Sequence, residues 1–222
     1  MITVHHLNHS RSTRVLWLLE ELELPYEIVR YERNAETLLA PDSLKKIHPL
    51  GKSPVISDDG VVIAESANIL EYLVETHGKG RLVPAKGTQA YRDCRYFMHY
   101  AEGSLMPYLL LRLIFARVKT AKVPFFIKPV TKKIADKVSK DFVTPNLTRA
   151  IEFIGEHLAK NTWFAGDELS IADIQMSYAV EAIADRCKDL NPSPKIGALL
   201  ERIRARPAYK RAIDKGGPAI PD

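Results

Sequence analysis

The sequence predicts an α/β domain followed by an all-α domain, and three observations support this fold class. Residues 2–32 show a strand–helix–strand pattern that is long enough for a helical crossover between two parallel strands. The dipeptide Asp59-Gly60 is typical of a tight β-hairpin turn, and short apolar runs flank it on both sides. From Ala90 onward strand patterns are scarce, and apolar residues recur at helical spacing.

The elements of the first domain follow from turn residues and apolar periodicity. Pro25 ends the first helix, and Gly78 stands where a helix-ending glycine is common. The predicted elements are a strand at 2–7, a helix up to residue 23, a strand at 26–32, an irregular helical stretch at 35–47, strands at 54–57 and 61–64, and a helix that Ser66 caps. This β-α-β-α-β-β-α order is the thioredoxin-like arrangement.

The region after this domain is typical of a linker. Residues 79–89 contain two glycines and one proline without apolar periodicity. We therefore predict a thioredoxin-like domain at 1–80, a linker at 81–89 and an all-helical domain at 90–222. The predicted helices of the second domain span about 90–119, 124–142, 145–160, 170–187 and 194–205.

The composition is that of an ordinary globular protein, with 46% hydrophobic and 27% charged residues. Cys94 and Cys187 are far apart, and no cysteine or histidine shows metal-ligand spacing, so we expect neither a disulfide nor a bound metal. The formal charge of +5 is modest and no nucleic-acid-binding module is recognisable, so we expect no nucleic-acid partner.

The start of the chain does not resemble a secretory signal, and the longest apolar stretch, around 105–116, is interrupted by Pro107 and Arg112. We therefore expect a cytoplasmic protein without stable membrane insertion.

Two segments of the first domain carry candidate ligand-binding groups. Ser10 lies at the start of the first predicted helix, where backbone N–H groups and the helix dipole favour an anion such as a thiolate. Its hydroxyl can donate a hydrogen bond to that anion, and Arg11 adds a positive charge. In the second segment Pro54 opens a strand, and in this topology it is a candidate for a cis peptide bond. The backbone of Ser53 can then pair with a peptide-like ligand, and Lys52 suits a carboxylate.

A third segment, Glu65-Ser66, lies at the end of a predicted strand and the start of a helix. Ser66 and the N–H groups that follow it suit a carboxylate, and Glu65 suits an ammonium group. Each segment by itself is also explained by an ordinary helix cap or a proline-containing loop. Together they match glutathione, with the γ-glutamyl end at Glu65 and Ser66, the cysteinyl backbone at Ser53, the glycyl carboxylate at Lys52 and the sulfur at Ser10.

The sequence resembles the glutathione transferase family over essentially its whole length. The segments at 10–22 (SRSTRVLWLLEEL), 48–55 (HPLGKSPV) and 64–70 (AESANIL) are similar to the successive glutathione-site segments of that family. The resemblance implies the glutathione transferase fold, a cis Pro54, the ligand roles given above and a homodimer. It also implies that a bound glutathione thiolate attacks a small hydrophobic electrophile or a peroxide.

Members of this family differ in the residue that faces the sulfur, which is Tyr, Ser or Cys. No Tyr precedes Pro25 and no Cys precedes Cys94, so Ser10 is the predicted residue, four positions before Arg14. Arg11 and backbone amides remain alternatives, so Ser10 and Arg11 are the candidate catalytic residues. A free thiol has a pKa near 8.5, which must fall by about two units for most of the bound glutathione to ionise.

The helical domain is expected to line the electrophile pocket. The candidates share the first long helix of that domain and are Met106, Tyr108, Leu109, Arg112 and Phe115. Residues 119–140 combine prolines and phenylalanines with several lysines. This pattern leaves open a pocket lid, a basic surface for anionic substrates or membranes, and an ordinary solvated amphipathic helix.

Residues 163–173 (WFAGDELSIAD) are similar to a buried capping motif of the same family. Independently of the resemblance, Ser170 can cap the helix that follows, and Asp173 can reach back to it in a shortened capping box. Leu169 and Ile174 occupy the positions of a hydrophobic staple. We expect this motif to act in folding rather than in catalysis.

Two alternatives to a transferase remain open at this point. One is a non-catalytic protein that binds glutathione, hydrophobic ligands or a protein partner. The other is a glutathione-dependent peroxidase, isomerase or dehalogenase on the same fold. The sequence does not separate these functions, because one fold hosts many activities.

Overall fold

A computed structural model describes residues 1–220 of the chain. Its first part contains a four-stranded sheet in the order β2–β1–β3–β4. The strands are β1 (Ile2–Leu7), β2 (Tyr26–Tyr31), β3 (Val55–Asp58) and β4 (Val61–Ala64). β1 runs parallel to β2 and antiparallel to β3, and β3 pairs with β4 in an antiparallel hairpin. Helix α1 (Ser12–Leu22) makes the predicted crossover between the two parallel strands.

The predicted hairpin turn between β3 and β4 is confirmed. Asp59 and Gly60 both have positive φ angles, 45° and 85°. A two-residue hairpin turn of type I′ needs this left-handed backbone at both central positions, and Asp-Gly adopts it at low cost. Helix α2 (Ser66–Thr76) follows β4 and completes the thioredoxin-like order.

One predicted element of this part is only partly present. Of the irregular helical stretch predicted at 35–47, the structure contains a 3₁₀ turn at Asp42–Lys46. Leu44 is the buried residue of that turn, whereas Leu38 and Leu39 are exposed. Pro41 precedes the turn with an extended backbone, and a proline inside this stretch prevents one continuous helix.

The second part is helical, which confirms the predicted fold class. Its helices within the described residues are α3 (Gln89–Tyr100), α4 (Met106–Lys119), α5 (Lys128–Val138), α6 (Thr144–Lys160), α7 (Ile171–Arg186), α8 (Pro194–Ala205) and α9 (Pro207–Gly216). Single π-helical turns at Ala101–Leu105 and Ser139–Val143 join α3 to α4 and α5 to α6. The predicted helices at 124–142 and 145–160 are therefore parts of one continuous run.

Helix α9 was absent from the prediction for a physical reason. It begins at a proline, and three of its four buried residues are small: Ala208, Ala212 and Gly216. Small buried residues contribute little hydrophobicity, so the sequence of α9 shows only weak apolar periodicity and does not indicate a helix.

Helices α1 and α7 lie at the centre of the packing. Ten of the eleven residues of α1 and eleven of the sixteen residues of α7 are buried. Helix α1 contacts α2, α7 and α9, so the sheet part and the helical part share one continuous core. Within residues 1–220, no helix has the length and apolar character needed to cross a membrane.

The carboxylate of Glu20 on α1 ties the last helix to the first domain. It accepts a hydrogen bond from the hydroxyl of Tyr26 at 2.7 Å. Arg211 Nε and Lys215 Nζ, both on α9, donate to the same carboxylate at 2.6 Å each. Burial would by itself raise the pKa of Glu20, but the hydrogen bonds from Lys215, Arg211 and Tyr26 lower that pKa to about 2.

Helix α7 begins at the predicted capping motif. Ser170 is its N-cap residue, and the Ser170 Oγ accepts from the Ala172 N–H at 3.3 Å. The Asp173 carboxylate accepts from the N–H of Ser170 at 2.9 Å and from the N–H of Phe164 at 2.7 Å. The capping box is therefore confirmed, and the same carboxylate also holds the loop that precedes the helix.

We expect Asp173→Ala to destabilise the protein more than the loss of an ordinary cap, which costs about 0.5–2 kcal/mol. The variant leaves two buried N–H groups without an acceptor, so the expected loss of unfolding free energy is about 2–4 kcal/mol. Asp173→Asn keeps one acceptor oxygen and should lose less. Urea denaturation of the three proteins measures the difference, and an alanine variant as stable as the wild type contradicts this role.

A second prediction concerns acid stability. Folding favours ionised Glu20, so its contribution is complete above the unfolded pKa near 4.5 and is lost as the pH falls from there toward about 2. Glu20→Gln should lower the Tm at neutral pH and weaken the dependence of the Tm on pH in that acidic range. The exposed Glu152 provides a matched control, since Glu152→Gln should leave both properties unchanged. If Glu20→Gln keeps the wild-type pH dependence of the Tm, the proposed linkage is wrong.

Candidate active site

A small cavity of ≈ 130 Å³ lies where the predicted glutathione-site segments converge. Its lining residues come from the start of α1, the loop before β3, the β4–α2 junction and the π turn after α3. They are Arg11, His48, Leu50, Lys52, Ser53, Pro54, Ala64, Glu65, Ser66 and Glu102. The structure thus brings together six of the seven residues predicted for glutathione binding and catalysis, and it leaves out Ser10.

The loop before β3 has the predicted backbone geometry. The Ser53–Pro54 peptide bond is cis, as expected. The Ser53 Oγ donates to the His5 carbonyl at 3.0 Å and accepts from the Leu7 N–H at 3.3 Å. These contacts attach the loop to the end of β1. Lys52 beside it is exposed and has no ion-pair partner among residues 1–220.

The start of α2 differs from the prediction in one detail. The N-cap residue is Glu65 rather than Ser66, and no side chain caps the helix. Ser66 is the first helical residue and is buried. Glu65 has a φ of 72°, a backbone conformation that costs about 1–3 kcal/mol and is typically kept at functional sites. The uncapped N–H groups of the first turn are therefore suited to a carboxylate ligand.

Ser10 faces the protein interior. The ring Nε2 of His6 lies 2.8 Å from the Gly216 carbonyl, which can only accept, so Nε2 carries a proton. Burial lowers the pKa of His6, so the ring is neutral and its Nδ1 accepts from the Ser12 Oγ at 2.7 Å. The Ser10 hydroxyl is then left to donate to the Leu7 carbonyl at 2.6 Å or to the Ser12 Oγ at 2.8 Å. Its hydrogen already has acceptors inside the protein, and only 4% of the residue is exposed.

Arg11 lies in the cavity wall and is held by the helical part of the chain. Its Nε is 3.2 Å from Glu102 Oε1, and its guanidinium lies over the ring of Tyr178, with Cζ 5.1 Å from the ring centroid. About a third of the Arg11 side chain is exposed, so its charge reaches the cavity. Arg11 is therefore a cation whose orientation depends on residues of α7 and the π turn.

The same Glu102 oxygen accepts a hydrogen bond from Arg14, which lies in the first turn of α1. The Arg14 Nη1 donates to it at 2.6 Å, and the Arg14 side chain is only 1% exposed. Burial lowers the pKa of the Arg14 guanidinium, and Glu102 opposes that shift. Two arginines thus share one carboxylate, and the group keeps one net positive charge beside the cavity.

No local motif marks Glu102, because its partners lie far away in the sequence. Arg14 precedes it by 88 residues, and the contact forms only when α1 packs against the helical part. The weakening of the helical pattern at Gly103 is the one sequence signal nearby, since glycine is unfavourable inside helices.

Comparison with known proteins identifies the family to which the chain belongs. Residues 10–76 match the glutathione S-transferase N-terminal domain, and residues 118–215 match the glutathione S-transferase C-terminal domain. Glutathione S-transferase 3 of Schizosaccharomyces pombe is 34% identical over 215 residues, which cover 97% of this chain and 88% of that protein. The chain belongs to the glutathione S-transferase family.

Two further relatives are similar to this family member over nearly its whole length, including both the first domain and the helical part. Glutathione S-transferase 1 of Saccharomyces cerevisiae is 34% identical over 224 residues, covering 97% of this chain and 95% of that protein. A crystal structure of a glutathione S-transferase from Actinobacillus pleuropneumoniae matches with a TM-score of 0.77 and 30% identity, and covers 97% of this chain and 93% of that one. Glutathione is thus the substrate of this transferase.

The electrophile-pocket candidates of this transferase all lie on α4, and none of them lines the cavity described above. Met106 and Leu109 are buried in the core. The ring of Tyr108 packs against that of Phe142, with the centroids 6.0 Å apart. Met106 and Leu109 are therefore engaged in packing, whereas Tyr108 is only partly buried.

Arg112 on the same helix is held by the C-terminal end of α7. Its Nε donates to the Arg186 carbonyl at 3.0 Å, and its guanidinium pairs with Asp189. Phe115, one turn further along, is partly buried against the core. Tyr108 and Phe115 are consequently the predicted pocket residues that combine an aromatic ring with remaining accessible surface.

We expect Glu102→Gln in this transferase to lower the unfolding free energy by about 1.5–3 kcal/mol, the range for hydrogen bonds to charged groups. The physical reason is that the buried Arg14 loses its counter-charge. Glu71→Gln is the control, because Glu71 pairs with the half-exposed Arg95 and such surface pairs are worth about 0–1 kcal/mol. Urea denaturation measures the unfolding free energy of both variants. Equal losses would show that the Glu102 contact contributes no more to stability than a surface ion pair.

Proposed function

We propose that the cavity binds glutathione, lowers the pKa of its thiol and directs the thiolate at a small hydrophobic electrophile. The observation that supports this most strongly is the convergence of Arg11, Lys52, Ser53, Glu65 and Ser66 around one space. These residues supply two cations, an anion, an exposed backbone and a helix N-terminus. Glutathione carries the complementary groups, namely two carboxylates, an ammonium group and a peptide backbone.

In this proposal glutathione extends from the start of α2, where its γ-glutamyl end binds, to Lys52, where its glycyl end binds. The γ-glutamyl carboxylate binds the N–H groups at the start of α2, near Ser66, and the γ-glutamyl ammonium group binds Glu65. The backbone of Ser53 pairs with the cysteinyl residue in the manner of an added strand. Lys52 binds the glycyl carboxylate, because its ammonium group is exposed and has no ion-pair partner among the described residues, 1–220.

Arg11 stabilises the thiolate in this proposal. It is a cation in the cavity wall, whereas the Ser10 hydroxyl hydrogen already has acceptors inside the protein. Ser10, the residue predicted from the sequence, is the alternative sulfur ligand, and backbone N–H groups at the start of α1 are a second one. The thiol proton passes to solvent. The sulfur lone pair then forms a bond to an electrophilic carbon, and a leaving group such as chloride departs from that carbon with its bonding electrons. With a peroxide, the sulfur bonds to one oxygen while the O–O bond breaks, the other oxygen leaves as an alkoxide that takes a proton from solvent, and a second glutathione converts the resulting sulfenic acid to the disulfide and water.

The electrophile binds on the α4 side of the site, where Tyr108 and Phe115 supply aromatic surface. We also propose that the protein acts in the cytoplasm as a homodimer, in keeping with its family. The competing functions are a non-catalytic binding protein on the same fold and a glutathione-dependent peroxidase, isomerase or dehalogenase.

Two measurements test the proposed function. Turnover of a chloronitrobenzene and of cumene hydroperoxide with glutathione distinguishes transferase from peroxidase chemistry. Retention on immobilised glutathione without turnover of either substrate would favour the non-catalytic alternative. Light scattering after size exclusion gives the oligomeric state, and a monomer would contradict the proposed homodimer.

The pKa of bound glutathione distinguishes the candidate activators. We expect Arg11→Gln to raise this pKa by about one unit, which corresponds to about 1.4 kcal/mol of lost thiolate stabilisation. The Kd for glutathione should change little, because the other ligand groups remain. Ultraviolet absorbance of the thiolate against pH measures the shift in Arg11→Gln and in Ser10→Ala. A shift in Ser10→Ala but not in Arg11→Gln would assign the sulfur to Ser10.

A further inference from the structure

One segment accounts for the net positive charge of the chain. We define it as the basic hairpin, residues 117–141, which comprises the end of α4, the connection to α5, α5 itself and the residues just after it. It contains eight Lys or Arg residues and two Asp residues, so its formal charge is +6. The chain as a whole has a charge of +5, and the rest of the protein is therefore at −1.

The basic hairpin also exposes large apolar side chains to an unusual degree. Phe125 and Phe126 are 83% and 67% exposed, and their rings pack edge to face with centroids 5.6 Å apart. Val130 and Ile134 on α5 are 56% and 54% exposed. Exposed apolar groups that cluster in one segment mark an interaction surface more often than isolated ones do.

The apolar and basic groups lie side by side on α5. Val130 and Ile134 are four residues apart and so share one face of the helix, and Lys133 and Lys137 occupy the neighbouring positions. Lys119 and Lys137 are paired with aspartates of the same segment. The lysines of the basic hairpin without an ion-pair partner among residues 1–220 are Lys122, Lys128, Lys132, Lys133 and Lys140. Their charge is available to an external anion.

We propose that the basic hairpin docks this transferase onto the surface of an anionic lipid bilayer. Lysines next to a bilayer gain electrostatic energy from anionic headgroups, and aromatic and branched apolar side chains gain by entering the boundary between headgroups and acyl chains. The protein lies on the membrane and does not cross it, which agrees with the absence of a spanning helix among residues 1–220.

The charge distribution decides between a membrane and other occupants of this surface. A two-fold contact between two copies would bring two segments of charge +6 together, which is electrostatically unfavourable. Single-stranded nucleic acid stacks its bases on aromatic side chains, which Phe125 and Phe126 supply, but it has no use for the exposed aliphatic side chains of Val130 and Ile134. An anionic bilayer satisfies both the lysines and the aliphatic side chains.

Docking leaves the glutathione cavity open. The cavity is lined by residues from the first domain and by Glu102, and no residue of the basic hairpin takes part. The transferase can therefore act on electrophiles that partition into the lipid, and membrane binding is independent of glutathione. A failure of lipid binding and a failure of the proposed catalytic function are accordingly distinguishable.

Sedimentation with large unilamellar vesicles tests the proposal, without glutathione, using phosphatidylcholine alone and phosphatidylcholine with about a third phosphatidylserine. We expect binding to the anionic vesicles only, and release at high salt. Lys132→Glu/Lys133→Glu and Phe125→Ser/Phe126→Ser should each weaken this binding about tenfold or more. Both should keep wild-type turnover and Tm, because these residues lie outside the cavity and the core.

Matched variants control for charge and for apolar exposure. Lys160→Glu/Lys195→Glu changes the net charge equally at exposed sites outside the basic hairpin, and Leu38→Ser/Leu39→Ser removes an exposed apolar pair from the first domain. Both should bind anionic vesicles like the wild type. Equal binding to neutral and anionic vesicles, or no binding at all, overturns the proposal. If Phe125→Ser/Phe126→Ser converts a dimer to a monomer in light scattering, the surface is a subunit interface, and the proposal also fails.

Discussion

The enclosure of helix α1 is the constraint on which the rest of the structure depends. Ten of its eleven residues are buried, so its charged side chains need partners inside the protein, and the helical part supplies them. Arg14 pairs with Glu102, Glu20 binds Arg211 and Lys215 on α9, and Glu21 pairs with Arg206 just before α9. A buried charge without a partner is costly, so these ion pairs specify how the two parts of the chain dock.

That docking also shapes the proposed glutathione site. Arg11 immediately precedes α1, so the position of α1 sets the position of the Arg11 backbone. Glu102 and Tyr178 of the helical part hold the Arg11 guanidinium. The remaining ligand groups come from the cis Ser53–Pro54 loop and from the uncapped start of α2. The proposed site therefore combines a helix end, a loop and a strand–helix junction from the first domain with a cation whose orientation the helical part sets.

Sequence patterns predicted the elements whose determinants are local. The β-α-β unit, the Asp59-Gly60 turn and the capping box at Ser170 each depend on residues within a few positions of one another, and all three are confirmed. Two elements differ from the prediction. Pro41 reduces the helical stretch predicted at 35–47 to a 3₁₀ turn, and α9 buries small residues that leave little periodic signal. Ser66 was predicted as a cap, but the strained backbone of Glu65 moves the helix start by one residue.

The sequence by itself determined the fold class, the family resemblance and the three segments that form the cavity, because these rest on short motifs and on chain order. Only the tertiary structure decided which groups face the ligand space. Ser10 lies in a predicted motif, yet its hydroxyl donates inward because the His6 and Ser12 side chains lie next to it. Glu102 reaches Arg11 and Arg14 from another part of the chain. The direction of a side chain depends on neighbours that are distant in sequence, and no local pattern records them.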